Sequence, residues 1–281
     1  MQVTQLWRYP VKSMVGGVVD SVELDDLGIV GDRTWAVRDL ERGGIRGAKK
    51  IGSLMQCAAR DVDDGDVAIT LPDGSEVRTS DADVDDRVSA ALDHQVRLER
   101  LRPADDRDHY RRGDPDNDDM MAELGSIFGR EEGEPLPDFS VFPPELVEFE
   151  SPPGTYYDAF PLMVMTESAL TALAAALPHS QIDVRRFRPS IVVDTGDVSA
   201  SGLGHPEADW TGRSARIGSA VVEFAAQCPR CIMVTREIDD SLPADPAVLR
   251  HIVRDLDQNV GIYATITTPG TIRAGDPLEF I

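Results

Sequence analysis

Val221-Val222-Glu223-Phe224-Ala225-Ala226-Gln227-Cys228-Pro229-Arg230-Cys231-Ile232-Met233-Val234-Thr235 is the stretch on which the fold turns. Apolar β-formers flank Cys-Pro-Arg-Cys, so it reads as the bend between two strands. One arrives over Arg216–Phe224 and one leaves over Cys231–Ile238. Two thiols this close admit several chemistries. A thioredoxin-like dithiol sits at a helix N-terminus, and the sequence predicts nothing helical after Cys231. A structural zinc site needs a second ligand pair, and Cys57 stands alone. A thiolate on rigid backbone with Arg230 beside it suits a thiophilic metal centre. Two buried, inert thiols at a β-turn are the other reading open here.

Size and charge narrow the classes. A chain of 281 residues, 41% hydrophobic and 6% aromatic, forms one large or two ordinary globular domains. Its net charge is -22, and of 28 basic residues only Lys12, Lys49 and Lys50 are lysine. An acid excess with so little lysine fits a salt-rich cytosol, where screening removes self-repulsion. Such a surface repels nucleic acid and anionic membrane. Three cysteines exclude a disulfide scaffold and suit a reducing cytoplasm. Met1–Arg8 has no apolar signal core, and the longest mostly apolar run, Ala169–Leu177, is far short of the ~20 residues of a membrane helix. A cytoplasmic protein is expected.

Upstream, Gln2–Tyr9 alternates as a strand does and ends at Pro10, with Lys12-Ser13 in a turn before Gly16-Gly17. Ammonium, hydroxyl and turn amides together can cradle a phosphate, and an ordinary exposed lysine is the alternative. Gly31-Asp32-Arg33-Thr34-Trp35-Ala36-Val37-Arg38-Asp39 reads as a turn into a strand, with Arg33 and Arg38 on opposite faces. An arginine fork matches phosphate oxygens. Strand-like Leu54–Ala59, Val67–Leu71 and Val96–Leu101, with a helix between Asp83 and Asp93, suggest a small barrel or sandwich over residues 1–103. Ala104–Asp119 is mostly Asp and Arg without apolar period. Together with the stretch to Glu150 it reads as an acidic linker or excursion that solvates the surface.

The second half, 151–281, opens on Tyr156-Tyr157-Asp158-Ala159-Phe160-Pro161. A strand Leu162–Met165 leads to a helix Thr166–Leu177, with Thr166 as N-cap. Arg185-Arg186-Phe187-Arg188-Pro189-Ser190 is either a solvated edge or an anion site, and a strand Ile191–Asp194 follows. Asp245-Pro246 supplies N-cap and N1 of a helix to Leu256, and strand Gly261–Thr267 precedes the turn Pro269-Gly270. There is no repeat, no Gly-rich nucleotide loop and no Ser-His-Asp motif, and the five histidines lack metal-ligand spacing.

Tyr-Pro-Val-Lys-Ser, Gly-Asp-Arg-Thr-Trp, Arg-Phe-Arg-Pro-Ser, Cys-Pro-Arg-Cys and Thr-Pro-Gly-Thr-Ile-Arg-Ala-Gly-Asp-Pro occur here in that order. In this combination the chain resembles the MOSC family, and within it the amidoxime-reducing components. The resemblance implies a mostly β (α+β) protein of two domains, a MOSC N-terminal β-barrel and a MOSC β-barrel with a few peripheral helices. It further implies a molybdenum–pterin cofactor between them, tungsten being the possible analogue. On this resemblance Cys231 ligates the metal and Cys228 does not. Lys12, Ser13 and Arg33 hold phosphate and pterin, Arg188, Ser190 and Arg230 are further cofactor contacts, and Asp158 lies near the substrate side of the metal. Ser190 stands where relatives have asparagine, Pro229 where they have serine, and Ala159-Phe160 where they have small polar residues.

The implied function is an oxidoreductase that reduces N-hydroxylated or N-oxide substrates, Asp158 relaying protons. Some relatives carry an iron–sulfur domain, and this chain has no cysteines for one. Electrons are therefore expected from a separate ferredoxin-like or cytochrome b5-like protein. Two alternatives belong to other classes. One is a sulfur carrier, with a persulfide on Cys231 received from a pyridoxal-phosphate-dependent desulfurase. The other is a module that binds the cofactor without turnover.

Overall fold

The computed structural model describes residues 1–62, 65–196 and 204–281. The chain begins with β1 (Gln2–Arg8), β2 (Gly17–Val19), β3 (Ser21–Asp25) and β4 (Gly28–Ile29). Val3 and Leu6 of β1 both reach the core, an odd spacing permitted by a register shift between Val3 and Gln5. Next come β5 (Trp35–Asp39), β6 (Ile45–Arg46), β7 (Ala58–Asp61), β8 (Val67–Thr70), β9 (Glu76–Arg78), α1 (Val84–Leu92) and β10 (Val96–Arg100). Gly43 and Gly44, at φ 74° and 71°, supply the left-handed turn that folds β6 back on β5. α2 (Arg107–Tyr110) and α3 (Met120–Phe128) lie in the acidic excursion.

The second half contributes β11 (Leu162–Thr166), α4 (Glu167–Ala176), α5 (Val184–Phe187), β12 (Ile191–Asp194), β13 (Ser214–Ile217) and β14 (Ala220–Pro229). It ends with α6 (Pro246–Asp255), β15 (Asn259–Thr268), β16 (Gly270–Arg273) and β17 (Leu278–Phe280). Thr166 Oγ1 accepts from Ala169 N at 3.2 Å and Asp245 caps α6 through Ala247 N at 2.9 Å, so both helices start where their caps are written. The fold is mostly β with a few peripheral helices, and no helix among the described residues is long and apolar enough to cross a membrane.

Sheet order shows how the halves are joined. The large sheet runs β17-β13-β14-β15-β11-β12-β1-β2, with β11 and β12 parallel and the other neighbours antiparallel. β3 pairs with β16, Val22 opposite Ile272. The N-terminal segment thus completes the sheets of the second half. The remaining strands of the first half form β10-β5-β6 and β7-β8-β9 around a core of Val11, Met14, Val37, Leu54, Ile69 and Val88. A second core lies against the large sheet (Leu6, Val164, Val193, Val222, Phe224, Ile262). A third lies beneath α4 and α6 (Met165, Leu173, Leu249, Ile252).

Several local expectations are corrected. The strand expected over Arg216–Phe224 is two strands, β13 and β14, hinged at Gly218 (φ 58°) and Ser219. Leu54 belongs to a 3-10 turn, Gly52–Gln56, and the strand begins only at Ala58. No strand leaves Cys231, because a 3-10 turn, Ile232–Thr235, follows it. The excursion faces solvent along most of its length but is anchored at both ends. Tyr110 and Phe149 at its ends are buried with Ala36, Ile45 and Tyr156, and α3 between them carries an Asp119 cap.

Candidate functional site: a cationic cleft at Cys231

β14 runs to Pro229, and the 3-10 turn begins immediately after Cys231, whose carbonyl accepts from Val234 N at 3.3 Å. Within that turn Met233 packs into the first core and Val234 into the third. Two cores therefore fix the backbone that presents Cys231. The two thiols differ in kind. Cys228 is 2% exposed and packed beside Met163 and Val260, whereas Cys231 is half-buried and lines a cleft of about 650 Å³. Burial raises the Cys228 thiol above its ordinary value, only partly offset by Arg230. Arg230 itself is turned inward. It donates to Val260 O at 2.8 Å and Phe187 O at 3.0 Å, and its Nη2 sits 3.4 Å from Met163 Sδ.

The same cleft is lined by Lys12, Ser13, Arg33, Asp158, Arg188 and Ser190, so all eight residues singled out from the sequence meet in one place. Three of them, Ser13 (φ 69°), Arg33 (φ 48°) and Arg188 (φ 58°), hold left-handed backbone. Non-glycine residues pay roughly 1 kcal/mol for that conformation, and such strain clusters at functional sites. Ser13 Oγ accepts from Ala48 N at 2.9 Å, and Arg33 N donates to Tyr9 O at 2.7 Å, which holds both loops. Ser190 is buried, its N donating to Met163 O at 2.8 Å and its carbonyl accepting from Trp7 N at 2.9 Å.

The charges are unevenly committed. Lys12 Nζ, buried, donates to Ser151 Oγ at 3.2 Å, Tyr156 O at 2.8 Å and Asp158 Oδ1 at 2.7 Å. An ammonium has three donors, and all three are engaged. Lys49 Nζ reaches the other oxygen of Asp158 at 3.3 Å. Burial alone would raise the Asp158 carboxyl, but Lys12, Lys49 and Arg33 override it and hold it well below the carboxylate range. Arg33 is paired through Nη1 with buried Asp32, whose Oδ1 accepts from Tyr9 N at 2.5 Å. Its guanidinium lies 5.1 Å from the ring centres of both Tyr9 and Tyr157. The Arg188 guanidinium lies 4.2 Å from the Tyr9 ring centre and donates Nη1 to Met14 O, while its buried Nη2 has no acceptor among the described residues. Burial and then Arg33 lower the Arg188 guanidinium to about 10.

Nine basic and five acidic side chains line the cleft, in a chain with 28 basic and 50 acidic residues. This surplus, with an orphaned arginine donor, calls for an anion. No cluster of three or more His, Cys, Asp or Glu among the described residues suits a metal. A metal on Cys231 would take its remaining ligands from a bound group.

Sequence reading missed two contributors. Lys49 and Lys50 line the cleft beside Lys12, so every lysine of the chain stands there. Their rarity was the available signal. The excursion also supplies a wall: Met120, Leu124, Ile127, Phe128, Phe139 and Phe142 line the cleft.

Two family models match the chain in tandem. The MOSC N-terminal β-barrel domain matches residues 1–110 and the MOSC domain residues 152–279. Human "Mitochondrial amidoxime-reducing component 1" is 25% identical across 99% of this chain and 82% of its own length. The bovine "Mitochondrial amidoxime reducing component 2" is 25% identical across 98% of this chain and 82% of its own. Among solved structures, the YUAD protein from Bacillus subtilis aligns over 99% of this chain and 94% of its own, at 12% identity and a TM-score of 0.45. Carrying both domains in tandem, the chain belongs to the MOSC family.

Proposed function

We propose that this protein is a molybdenum-cofactor oxidoreductase that reduces N-hydroxylated or N-oxide substrates with electrons from a separate donor protein. Tungsten is the alternative metal. The observation that carries the reading is one half-buried thiol, Cys231, in a cleft whose cationic surplus includes a buried Arg188 Nη2 without an acceptor among the described residues. The relatives named for amidoxime reduction give the direction of the chemistry.

The residues fit a phosphorylated pterin. Arg188 Nη2, the Ser13 hydroxyl and the unpaired donors of Arg33 would hold its phosphate and ring, each charge-assisted contact contributing about 1.5–3 kcal/mol. Lys12 adds charge at short range and has no donor to spare. When bound, the group supplies a two-electron metal centre that accepts oxygen from an N–O bond. Reducing N–OH to N–H consumes two electrons and two protons and releases water. Asp158, held ionised, accepts hydrogen bonds and does not donate a proton at neutral pH. Its work is to fix Lys12 and Lys49. Buried Arg230, tied to Val260 and Phe187, keeps the Cys231 turn rigid.

The test is elemental analysis of protein from a cofactor-competent, high-salt-compatible host, beside Cys231→Ala. Molybdenum or tungsten near one atom per chain, lost in the variant together with hydroxylamine reduction, is expected. Metal and activity retained in Cys231→Ala would overturn it. Sulfane sulfur on Cys231 without pterin would make the protein a sulfur carrier.

A further inference from the structure

α3 and the chain after it hold an apolar surface that no core among the described residues covers. Met120, Leu124, Ile127 and Phe128 fall at i, i+4, i+7 and i+8, one helix face, and all four line the cleft. Phe139 and Phe142 continue the surface, Phe139 lying 5.6 Å from Phe128 and 6.2 Å from Phe142 between ring centres. None of the six belongs to a buried core cluster, and Met120 is 73% exposed.

The surface is nevertheless fixed. Asp119 caps α3 through Met121 N at 2.8 Å, and Gly129 (φ 61°) ends it so close that an added Cβ would lie 2.8 Å from Ile232 Cδ1 and Leu249 Cδ2. Ile232 is the residue after Cys231. Arg130 Nη2 then donates to Gln258 Oε1 at 2.9 Å, and Gln258 O accepts from Arg230 N at 2.8 Å. An apolar wall is thus clipped to the turn that presents the thiol.

We propose that this wall selects the substrate: it receives an apolar body, an aromatic ring or short alkyl chain, carried by the N-hydroxylated group. The inference rests on the reductase reading above. A phosphorylated pterin needs donors and cations, which Ser13, Arg33 and Arg188 offer and the six wall residues do not. Apolar surface that lines a cleft and joins no core among the described residues is the complement of an apolar ligand.

The experiment compares benzamidoxime with acetamidoxime, which share a reacting group and differ in the body. Wild type, Leu124→Ser/Ile127→Ser and Leu124→Met are measured as purified, for kcat/KM with a chemical reductant, for metal content, and for equilibrium binding of both compounds by calorimetry. In the double serine variant kcat/KM and affinity for benzamidoxime fall about tenfold, and those for acetamidoxime stay within about twofold. Metal content stays at the wild-type level, and Leu124→Met keeps the wild-type preference. A parallel loss on both compounds, an unchanged ratio, or a loss of metal would overturn the wall. Wild type that binds benzamidoxime preferentially without reducing either compound, and loses that preference in the variant, keeps the wall and sinks the reductase. Wild type that reduces both while the variant keeps their ratio sinks the wall alone.

Discussion

Lys12 Nζ and Asp158 Oδ1 stand 2.7 Å apart across 146 residues of sequence, and the pair joins the first loop of the chain to the opening of its second half. Lys12 is buried, whereas Asp158 keeps 38% of its side chain exposed toward the cleft. Asp158 also holds Lys49, so one carboxylate organises two of the three lysines. Removing it would leave a buried ammonium with two neutral acceptors.

Asp158→Asn should therefore destabilise the protein by about 1–3 kcal/mol, less than a fully buried pair because the carboxylate is partly screened. The pH dependence has a definite sign. The folded Asp158 carboxyl lies well below its unfolded value near 3.9, so its contribution is complete above that value and is lost progressively as pH falls from it toward the folded one. Urea midpoints of wild type and variant should differ fully at pH 7 and draw steadily closer as pH falls below about 4. A difference independent of pH would sink the pair as an electrostatic clasp.

Arg188→Met separates binding from folding. The guanidinium is buried with one orphaned nitrogen, so a length-matched apolar side chain relieves a desolvated charge. Without cofactor the variant should be as stable as wild type, within about 1 kcal/mol, or more stable. Its retention of the phosphorylated pterin, measured by fluorescence after release, should fall about tenfold for the loss of one charge-assisted contact. A destabilised variant with full pterin retention would make Arg188 a structural residue.

What the sequence made legible was local and chemical. Alternation drew β1, and Thr166 and Asp245-Pro246 wrote their own helix starts, because each signal is complete within a few residues. The pairing of Leu6 with Ile191 and of Val22 with Ile272 was not legible, since nothing near residue 6 or 22 names its partner. The turn after Cys231 was misread because Ile232-Met233-Val234 has strand propensity, and packing of Met233 and Val234 into two different cores decides its shape. In the excursion, acidic composition hid a helix with a readable cap, Asp119, and stop, Gly129. The motif residues of the cleft were found by resemblance. Lys49 has no motif, only its scarcity.

The thiols give a direct check on the Cys-Pro-Arg-Cys geometry. Cys57 is buried and pushed up to about 12, and Cys228 is buried and raised by the same cause. Cofactor-free native protein should show one fast thiol of three with a disulfide reagent at pH 8, absent in Cys231→Ala and retained in Cys228→Ala. Bound cofactor should protect it. Equal rates for Cys228 and Cys231 would contradict the burial that separates them.

The clip that holds the excursion can be cut without touching the cleft floor. Arg250 pairs with Glu134 and donates to Gly129 O, while Arg254 reaches Glu131 at 2.6 Å and Glu134 at 3.1 Å, so α6 grips the end of α3. On the far side Lys50 pairs with Asp116 at 3.0 Å and with Glu123. Arg250 is the half of this clip most sheltered from solvent, and exposed Arg254 contributes little by comparison. Arg250→Ala removes two charge-assisted bonds, each contributing about 1.5–3 kcal/mol, from a segment that no core holds between Tyr110 and Phe149. Local opening should become at least about tenfold more frequent while the global urea midpoint barely moves, because the three cores are untouched. Limited proteolysis read by mass spectrometry should therefore show faster cutting between residues 113 and 140, with Arg254→Ala much closer to wild type. If the excursion resists cutting equally in both variants, packing of Gly129 on Ile232 and Leu249, and not the ion pairs, is what holds the wall against the Cys231 turn.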